Sequence, residues 1–479
     1  MMIATGFRRP VAARAGAFGP PGNSMSITDR KTGPGATRAR DDLRVLIVAD
    51  NASDRFGGEA ILPLHYFRHL RRRGVEVWMV VHDRNRAELE RSIPAEVGRI
   101  SFVTDTKLDK FAGRMMDRLP KRLNDVTLAY FAREVSRREA RRLVIRTIAD
   151  RKIDVVHQPT PVSPKEPSNM HGLGVPVVIG PMNGGMTFPE AFAKQLDHWT
   201  SASLYSLGRA ASPVFNRIMP GKLEAAVLLV ANDRTRRALP PGIRGEVEML
   251  AENGVDLDLW GPPEDDAPVP DRPGGARFLF IGRLVDWKAV DLLIEAFRAV
   301  VGRTAATLEI VGDGPERSAL ERLAADPALA GSIRFSGWVS QQECALKLRG
   351  SDAMVLPSLY ECGGAVVLEA MACARPVIAT DWGGPADYLD PTCGILVRPD
   401  SRQGMIADLA DAMIRLAGSP ELRASMGRAG RARVVREFDW EKKVDRILEI
   451  YGRAIAGGSH DDPTDRAKAG APDPALPGP

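Results

Sequence analysis

The chain has 479 residues, a length that predicts two or three domains. Its hydrophobic fraction of 44% is ordinary for a soluble globular protein, and no uninterrupted apolar run is long enough for a helical membrane span. The formal charge of +5 suits phosphorylated ligands, anionic lipid surfaces or nucleic acid without choosing among them. The four cysteines (Cys344, Cys362, Cys373 and Cys393) form no C-x-x-C pair, which argues against a disulfide scaffold and favours a reduced cytoplasmic setting.

Residues 1–40 are dominated by Gly, Pro, Ala and Arg, which predicts disorder. The arginines without acids up to Pro20 also faintly resemble a transit peptide, and Met25 offers a second possible start. Residues 457–479, rich in Pro, Ala, Gly and Asp, read as a loose tail. Leu43–Ala49 predicts a first strand. A polar loop follows, then Gly57-Gly58, a helix over Glu59–Arg73 and a strand over Val75–Val81. The two glycines either let an anion or hydroxyl approach a helix N-terminus or simply make a tight turn. His65 and His69 have metal-ligand spacing on that helix, but no third ligand is evident.

The stretch 83–152 is the least regular. Lys107, Lys110, Arg114, Arg118, Lys121 and Arg122 interleave with Phe111, Met115, Met116 and Leu119 at helical spacing. A second basic helix is expected over Val126–Arg151. Such helices either lie on an anionic membrane or present a solvated basic face. Ile153–His157 is a strand ending in His157 before a proline-rich loop. Val175–Ile179 is a strand before Gly180-Pro181-Met182-Asn183-Gly184-Gly185, where Asn183 is expected to line a cleft and bond a hydroxyl. Strands over Ala225–Ala231 and Glu246–Leu250 precede Glu252-Asn253-Gly254-Val255-Asp256 and a Pro/Asp/Gly-rich boundary at 261–275.

A second alternating series follows: strand Arg277–Ile281, loop Gly282–Lys288, helix Asp291–Val300, then strands Thr307–Val311 and Ile333–Ser336. It argues for a parallel sheet. Arg283 and Lys288 in G-R-L-x-x-x-K are two cations between a strand end and a helix, either solvated or placed on an anion. Ala353–Leu356 is a buried strand, Gly363-Gly364 a turn with uncovered amides, Ala365–Ala374 a helix, and Val377–Thr380 the next strand. Glu361 lies before that helix and Glu369 about a turn and a half inside it. A phosphate on the amides of Gly363, Gly364 and Ala365 would have a carboxylate on each side. Carboxylates accept hydroxyls, so the pattern suits a sugar nucleotide.

E-x7-E, after V-L-P-S and before E-A-M-A-x-x-x-P-V-I-A, resembles the signature of the retaining glycosyltransferases of family 4, which have the GT-B fold. The resemblance covers Phe278–Pro399 most strongly and Leu43–Asp256 more weakly. It implies an α/β chain with two Rossmann-like domains facing across a cleft: an acceptor domain over 41–251, a donor domain over 252–440, and a C-terminal helix over 441–456 crossing back onto the first. It implies that Glu361 meets the donor sugar, Glu369 holds the ribose, and Arg283 and Lys288 with Gly282 take the diphosphate. His157, Gly57 and Gly58 are implied at the acceptor side. It further implies a nucleotide-sugar donor, a saccharide or lipid-linked acceptor, no metal or other cofactor, no nucleic acid, and a role in surface polysaccharide synthesis at the inner face of the cytoplasmic membrane. Cys362-Gly363-Gly364 stands where the family often has Gly-Phe-Gly, which removes an aromatic from the sugar pocket. A sugar-nucleotide epimerase, a phosphorylase and a non-catalytic nucleotide-sugar-binding partner are the alternatives on the same fold.

Overall fold

A computed structural model describes residues 42–55, 58–104, 129–193, 215–262 and 275–458. Gly57, the basic stretch 107–122 and residues 1–40 and 459–479 lie outside the described residues, whereas Gly457 and Gly458, expected in the loose tail, end the last helix.

The short apolar runs become two parallel sheets. The first contains β1 (Arg44–Val48), β2 (Glu76–His82), β3 (Ile100–Val103), β4 (Val155–Gln158), β5 (Val177–Met182), β6 (Val227–Val230) and β7 (Glu246–Met249), in the order β3-β2-β1-β4-β5-β6-β7. The second contains β8 (Ala276–Ile281), β9 (Ala306–Val311), β10 (Ile333–Gly337), β11 (Ala353–Leu356), β12 (Val377–Thr380) and β13 (Gly394–Val397), in the order β10-β9-β8-β11-β12-β13. β1, β4, β6, β11 and β12 are almost wholly buried, which explains why they read as continuous apolar runs rather than alternating ones. In each sheet the order reverses once, between β1 and β4 and between β8 and β11. The loops after those strands flank the crevices where open parallel sheets bind ligands. The chain has the GT-B fold.

Two expected elements differ. β3 lies within the segment that showed no regular pattern. The helix after the first glycines is shorter than expected: a 3-10 turn (Gly58–Ile61) precedes α1 (Leu62–Arg72), with Pro63 in its first turn. The helix expected over Val126–Arg151 is α2 (Ala129–Arg151). It packs Ala140 and Val144 against Leu46 and Val156. Its basic residues are mostly engaged: Arg137 pairs with Glu166, Arg141 donates to the carbonyls of Asn169 and His171 at 2.8 and 2.7 Å, and Arg142 and Arg146 pair with Glu139 and Asp150 on the helix itself. No helix among the described residues is long and apolar enough to cross a membrane.

In the second sheet, α3 (Val290–Val301) covers one face with Leu292, Leu293, Ala296, Phe297 and Val300, the apolar stripe read from the sequence. α4 (Gln341–Gly350) begins with a capping box in which Ser340 and Glu343 bond each other's backbone N–H. α5 (Ala365–Ala372) follows β11, and α6 (Arg402–Ala417) and α7 (Pro420–Glu437) close this domain. α8 (Trp440–Gly458) then leaves it and buries Trp440, Val444, Ile447, Ile450 and Tyr451 in the core of the first sheet. The chain thus crosses between domains twice, and the crossings are tied together: Val255 N donates to Phe438 O at 2.7 Å, and Trp440 N to Val255 O at 3.1 Å.

Candidate functional site

The loop after β8 and the loop after β11 meet. Leu359 N donates to Trp287 O at 2.8 Å, which holds the two strand ends together. This brings Lys288 and Glu361 into a direct ion pair, with side chains 15% and 16% exposed. Both were read from the sequence as site residues, 73 positions apart. Arg283 is exposed, on the same loop.

Behind the pair stands the N-terminus of α5. Gly364 is its N-cap at φ 75°, a left-handed conformation that a side chain would strain, and a Cβ there would lie 3.0 Å from Glu361 Cγ. No side chain caps this helix, so the amides that follow Gly364 are free to meet an anion. Glu361 itself is braced from the next loop, where Gly384 N donates to its carbonyl at 2.8 Å.

Glu369 is half-buried and shares a cavity with Ala365, Gln341, Gly58, His65, Asn253 and Trp440. Its neighbours come from both domains. Burial alone pushes its carboxyl up to about 7. No side-chain hydrogen bond satisfies this carboxylate among the described residues. A half-buried acceptor without a donor is the counterpart of a ligand hydroxyl.

The first domain contributes differently than expected. His157 is 0% exposed. Its Nε2 donates to Gly180 O at 2.7 Å, which leaves Nδ1 to accept from the Tyr451 hydroxyl at 2.7 Å. Both nitrogens are thus satisfied within the core, and burial pulls the imidazole down to about 4, so it is neutral at physiological pH. The structure keeps His157 away from the cleft. Asn183, 3% exposed, is engaged likewise. Its amide donates to Glu252 Oε2 and to Cys362 O, both at 2.8 Å, and its Oδ1 accepts from Asn232 Nδ2 at 3.2 Å. No donor remains for a substrate hydroxyl; Asn183 instead joins the domains.

His65 and His69 both stack on Trp440, with centroids 4.9 and 5.5 Å away, and His69 Nδ1 lies 2.9 Å from Glu441. The described residues contain no cluster of His, Cys, Asp or Glu able to hold a metal.

Several residues at the domain junction went unread in the sequence. Glu252 is buried and presses its carboxylate against Gly363 in the loop after β11. Lys443, also buried, donates to the Glu252 carbonyl and lies 4.4 Å from the Trp440 ring. Asn232 and Arg234 reach across to Asp387 at 2.8 and 3.2 Å, and Trp382 Nε1 donates to Thr187 O at 2.8 Å. The only sequence signal was the acid in Glu252-Asn253-Gly254, at the interdomain link.

Residues 275–419 match the family described as Glycosyl transferases group 1. A GDP-mannose-dependent monoacylated alpha-(1-6)-phosphatidylinositol monomannoside mannosyltransferase of Corynebacterium glutamicum is 34% identical over 41% of this chain and 54% of its own. An alpha-maltose-1-phosphate synthase of Mycolicibacterium smegmatis is 32% identical over 43% of this chain and 57% of its own. The chain thus spans about half the length of these relatives. Among solved structures, the sucrose-phosphate synthase of Thermosynechococcus elongatus aligns with a TM-score of 0.58 at 19% identity, over 87% of this chain and 100% of its own. The Anabaena protein HepE, in complex with UDP and glucose, aligns with a TM-score of 0.58 at 15% identity, over 86% and 100%. The family match and the shared fold agree with the resemblance carried by the motifs.

Proposed function

We propose that this chain, similar to the group 1 glycosyltransferases in its second domain and built on the GT-B fold, moves a sugar from a nucleoside-diphosphate sugar to an acceptor hydroxyl with retention of configuration. The observation that carries this reading is the Lys288–Glu361 pair beside the open α5 N-terminus, with Glu369, which has no side-chain partner among the described residues, on the first turns of the same helix. These groups match the parts of one ligand in order. The α5 amides with Arg283 and Lys288 take the diphosphate, Glu369 the ribose hydroxyls, and Glu361 a hydroxyl of the sugar.

In the transfer, the bond from the sugar C1 to the phosphate oxygen breaks and its electron pair leaves with the diphosphate. Arg283, Lys288 and the α5 amides stabilise the charge that develops there, a role that needs no metal ion. The acceptor oxygen bonds C1 on the face that the phosphate leaves, and its proton passes to the departing phosphate oxygen. A nucleophilic side chain of the protein is not required.

A saccharide or lipid-linked acceptor, in surface polysaccharide or glycolipid synthesis at the membrane, is part of the proposal. The Corynebacterium relative, by its name a mannosyltransferase acting on a phosphatidylinositol monomannoside, makes GDP-mannose the first donor to try; UDP sugars follow from the HepE complex.

The test is thermal unfolding with GDP-, UDP- and ADP-sugars. A ligand at a hundred times its Kd adds about 2.7 kcal/mol, which a melting scan resolves. One nucleotide is expected to stabilise the wild type and not Glu369→Ala. No shift with any of them would overturn the donor site.

A further inference from the structure

We propose that Glu252 is a positioning residue for the donor loop, acting through Asn183. This deepens the donor-site reading above and rests on it. Glu252 lies on the first crossing between the domains, four residues before the end of that link's hydrogen-bonded Val255–Asp256 stretch and well outside both sequence motifs. Its side chain is 5% exposed.

Three contacts define its place. Its Oε2 accepts from Asn183 Nδ2 at 2.8 Å. The same amide nitrogen donates its second proton to Cys362 O at 2.8 Å. A Cβ added to Gly363 would lie 2.7 Å from Glu252 Oε2 and 2.5 Å from Asn253 Nδ2. The carboxylate therefore touches the donor loop twice, once through Asn183 and once by direct apposition to Gly363. This accounts for a glycine at 363 independently of any phosphate: the junction leaves no room for a side chain.

The chain of bonds continues outward. Asn183 Oδ1 accepts from Asn232, which also donates to Asp387, and Arg234 pairs with the same carboxylate. At the other end, Lys443 fixes the Glu252 backbone by donating to its carbonyl. Asn253 Nδ2 donates to the Tyr388 hydroxyl at 3.1 Å. Five segments that are distant in sequence, around Asn183, Asn232, Glu252, Asp387 and Lys443, are thus bonded into one network that reaches the Cys362 carbonyl through Asn183.

The physical consequence concerns the amides after Gly364. They bind an anion only while the 362–364 turn is held in one conformation. Two glycines in succession leave that turn free in the absence of an external anchor. Asn183 supplies the anchor. Glu252 fixes the Asn183 amide with its N–H protons facing both acceptors: Glu252 Oε2 takes one and Cys362 O the other. Without Glu252 the amide has one buried proton unpaired and is free to turn away from Cys362. The groups facing the carboxylate are Asn183, Lys443, Glu59, Glu361, Cys362, Tyr66 and Tyr388. Burial pushes the carboxyl up to about 7, Asn183 and Lys443 pull it down, and Glu59 and Glu361 push it up.

The experiment uses the full chain with two readouts. The first, independent of any donor, is hydrogen exchange at the amides of Val367 and Gly384, which donate to the carbonyls of Gly364 and Glu361 on this turn. Glu252→Ala and Asn183→Ala are each expected to speed it about tenfold, and the double variant no more than either alone, because the two act in series. Glu252→Gln keeps an acceptor oxygen for Asn183 and is expected to recover most of the protection. The second readout is the affinity for the nucleoside diphosphate that stabilises the wild type, which is expected to fall about tenfold in the two alanine variants and to return towards the wild-type value in Glu252→Gln. Should Glu252→Ala not fold, Asn183→Ala and Glu252→Gln decide by the same two measurements. Wild-type exchange in folded alanine variants, additive losses, or no recovery with Gln would overturn the proposal. Altered exchange in a chain that binds no nucleotide would sustain the anchoring and overturn the donor-site reading alone.

Discussion

The two walls of the cleft are built on opposite plans. The wall from the second domain presents its charged groups: Lys288 and Glu361 pair with each other, and Glu369 has no side-chain donor among the described residues. The wall from the first domain turns its polar groups inward, His157 to Gly180 and Tyr451, Asn183 to Glu252, Cys362 and Asn232. The contrast teaches that polar residues at equivalent strand ends do different jobs. Those of the second domain lie at the crevice, while in the first His157 is bonded within its own core and Asn183 across the domain junction.

The sharpest way to break this contrast is at His157. His157→Ala leaves Tyr451 and Gly180 without their partner and opens a cavity, which is expected to cost about 3 kcal/mol of stability in urea unfolding. The kcat of the folded fraction is expected to change little. A large loss of kcat at unchanged stability would return His157 to the cleft. On the wall from the second domain, if it takes the donor as proposed, the reverse holds. Lys288→Ala removes a charge-assisted contact to the diphosphate and is expected to weaken donor binding about 30-fold by titration calorimetry, equivalent to about 2 kcal/mol. Unchanged affinity would show that the Lys288–Glu361 pair is a structural tie like those across the cleft.

Glu369 gives a pH-dependent version of the comparison. Its folded carboxyl titrates near 7, above the ordinary 4.5. Between those values the folded chain holds a proton that the unfolded chain releases. Its contribution to stability is therefore complete below about pH 4.5 and is lost as pH rises through 7. Glu369→Gln removes that loss. The variant is expected to gain on the wild type from pH 5 to pH 8 by about 2 kcal/mol, or several degrees in Tm. A constant difference across that range would mean that Glu369 is not desolvated. The smallest effect is expected at the rim, where Arg234 and Asp387 are 23% and 32% exposed. Arg234→Ala is expected to change stability by about 0.5 kcal/mol and kcat/KM by no more than about threefold.

The meeting of the motif residues of the second domain was legible because each motif is local. G-R-L-x-x-x-K and E-x7-E each lie within one strand–loop–helix unit, so spacing alone places their side chains near one another. The strand cores were legible for the same reason, as buried apolar runs. His157 and Asn183 were misplaced because position at a strand end says nothing of what arrives later in the chain. Tyr451 comes 294 residues after His157, and Cys362 comes 179 after Asn183. β3 was missed because its four residues, I-S-F-V, are too few to establish a period among basic and acidic neighbours. The basic face of α2 suggested a surface for lipid because periodicity cannot reveal that Arg137 and Arg141 are bonded to the loop after β4.

The return of α8 to the first sheet has a consequence for how the chain is made. The first domain lacks Trp440, Ile447 and Tyr451 from its core until that helix exists. It is encoded about 190 residues after β7, the last strand of the sheet it completes. At ordinary rates of synthesis the ribosome delivers it roughly 10–40 s later. The second domain, continuous in sequence, has all its strands in hand before then. The domain translated first is thus the one finished last, and a nascent chain that stalls before Trp440 exposes an apolar surface on its N-terminal half.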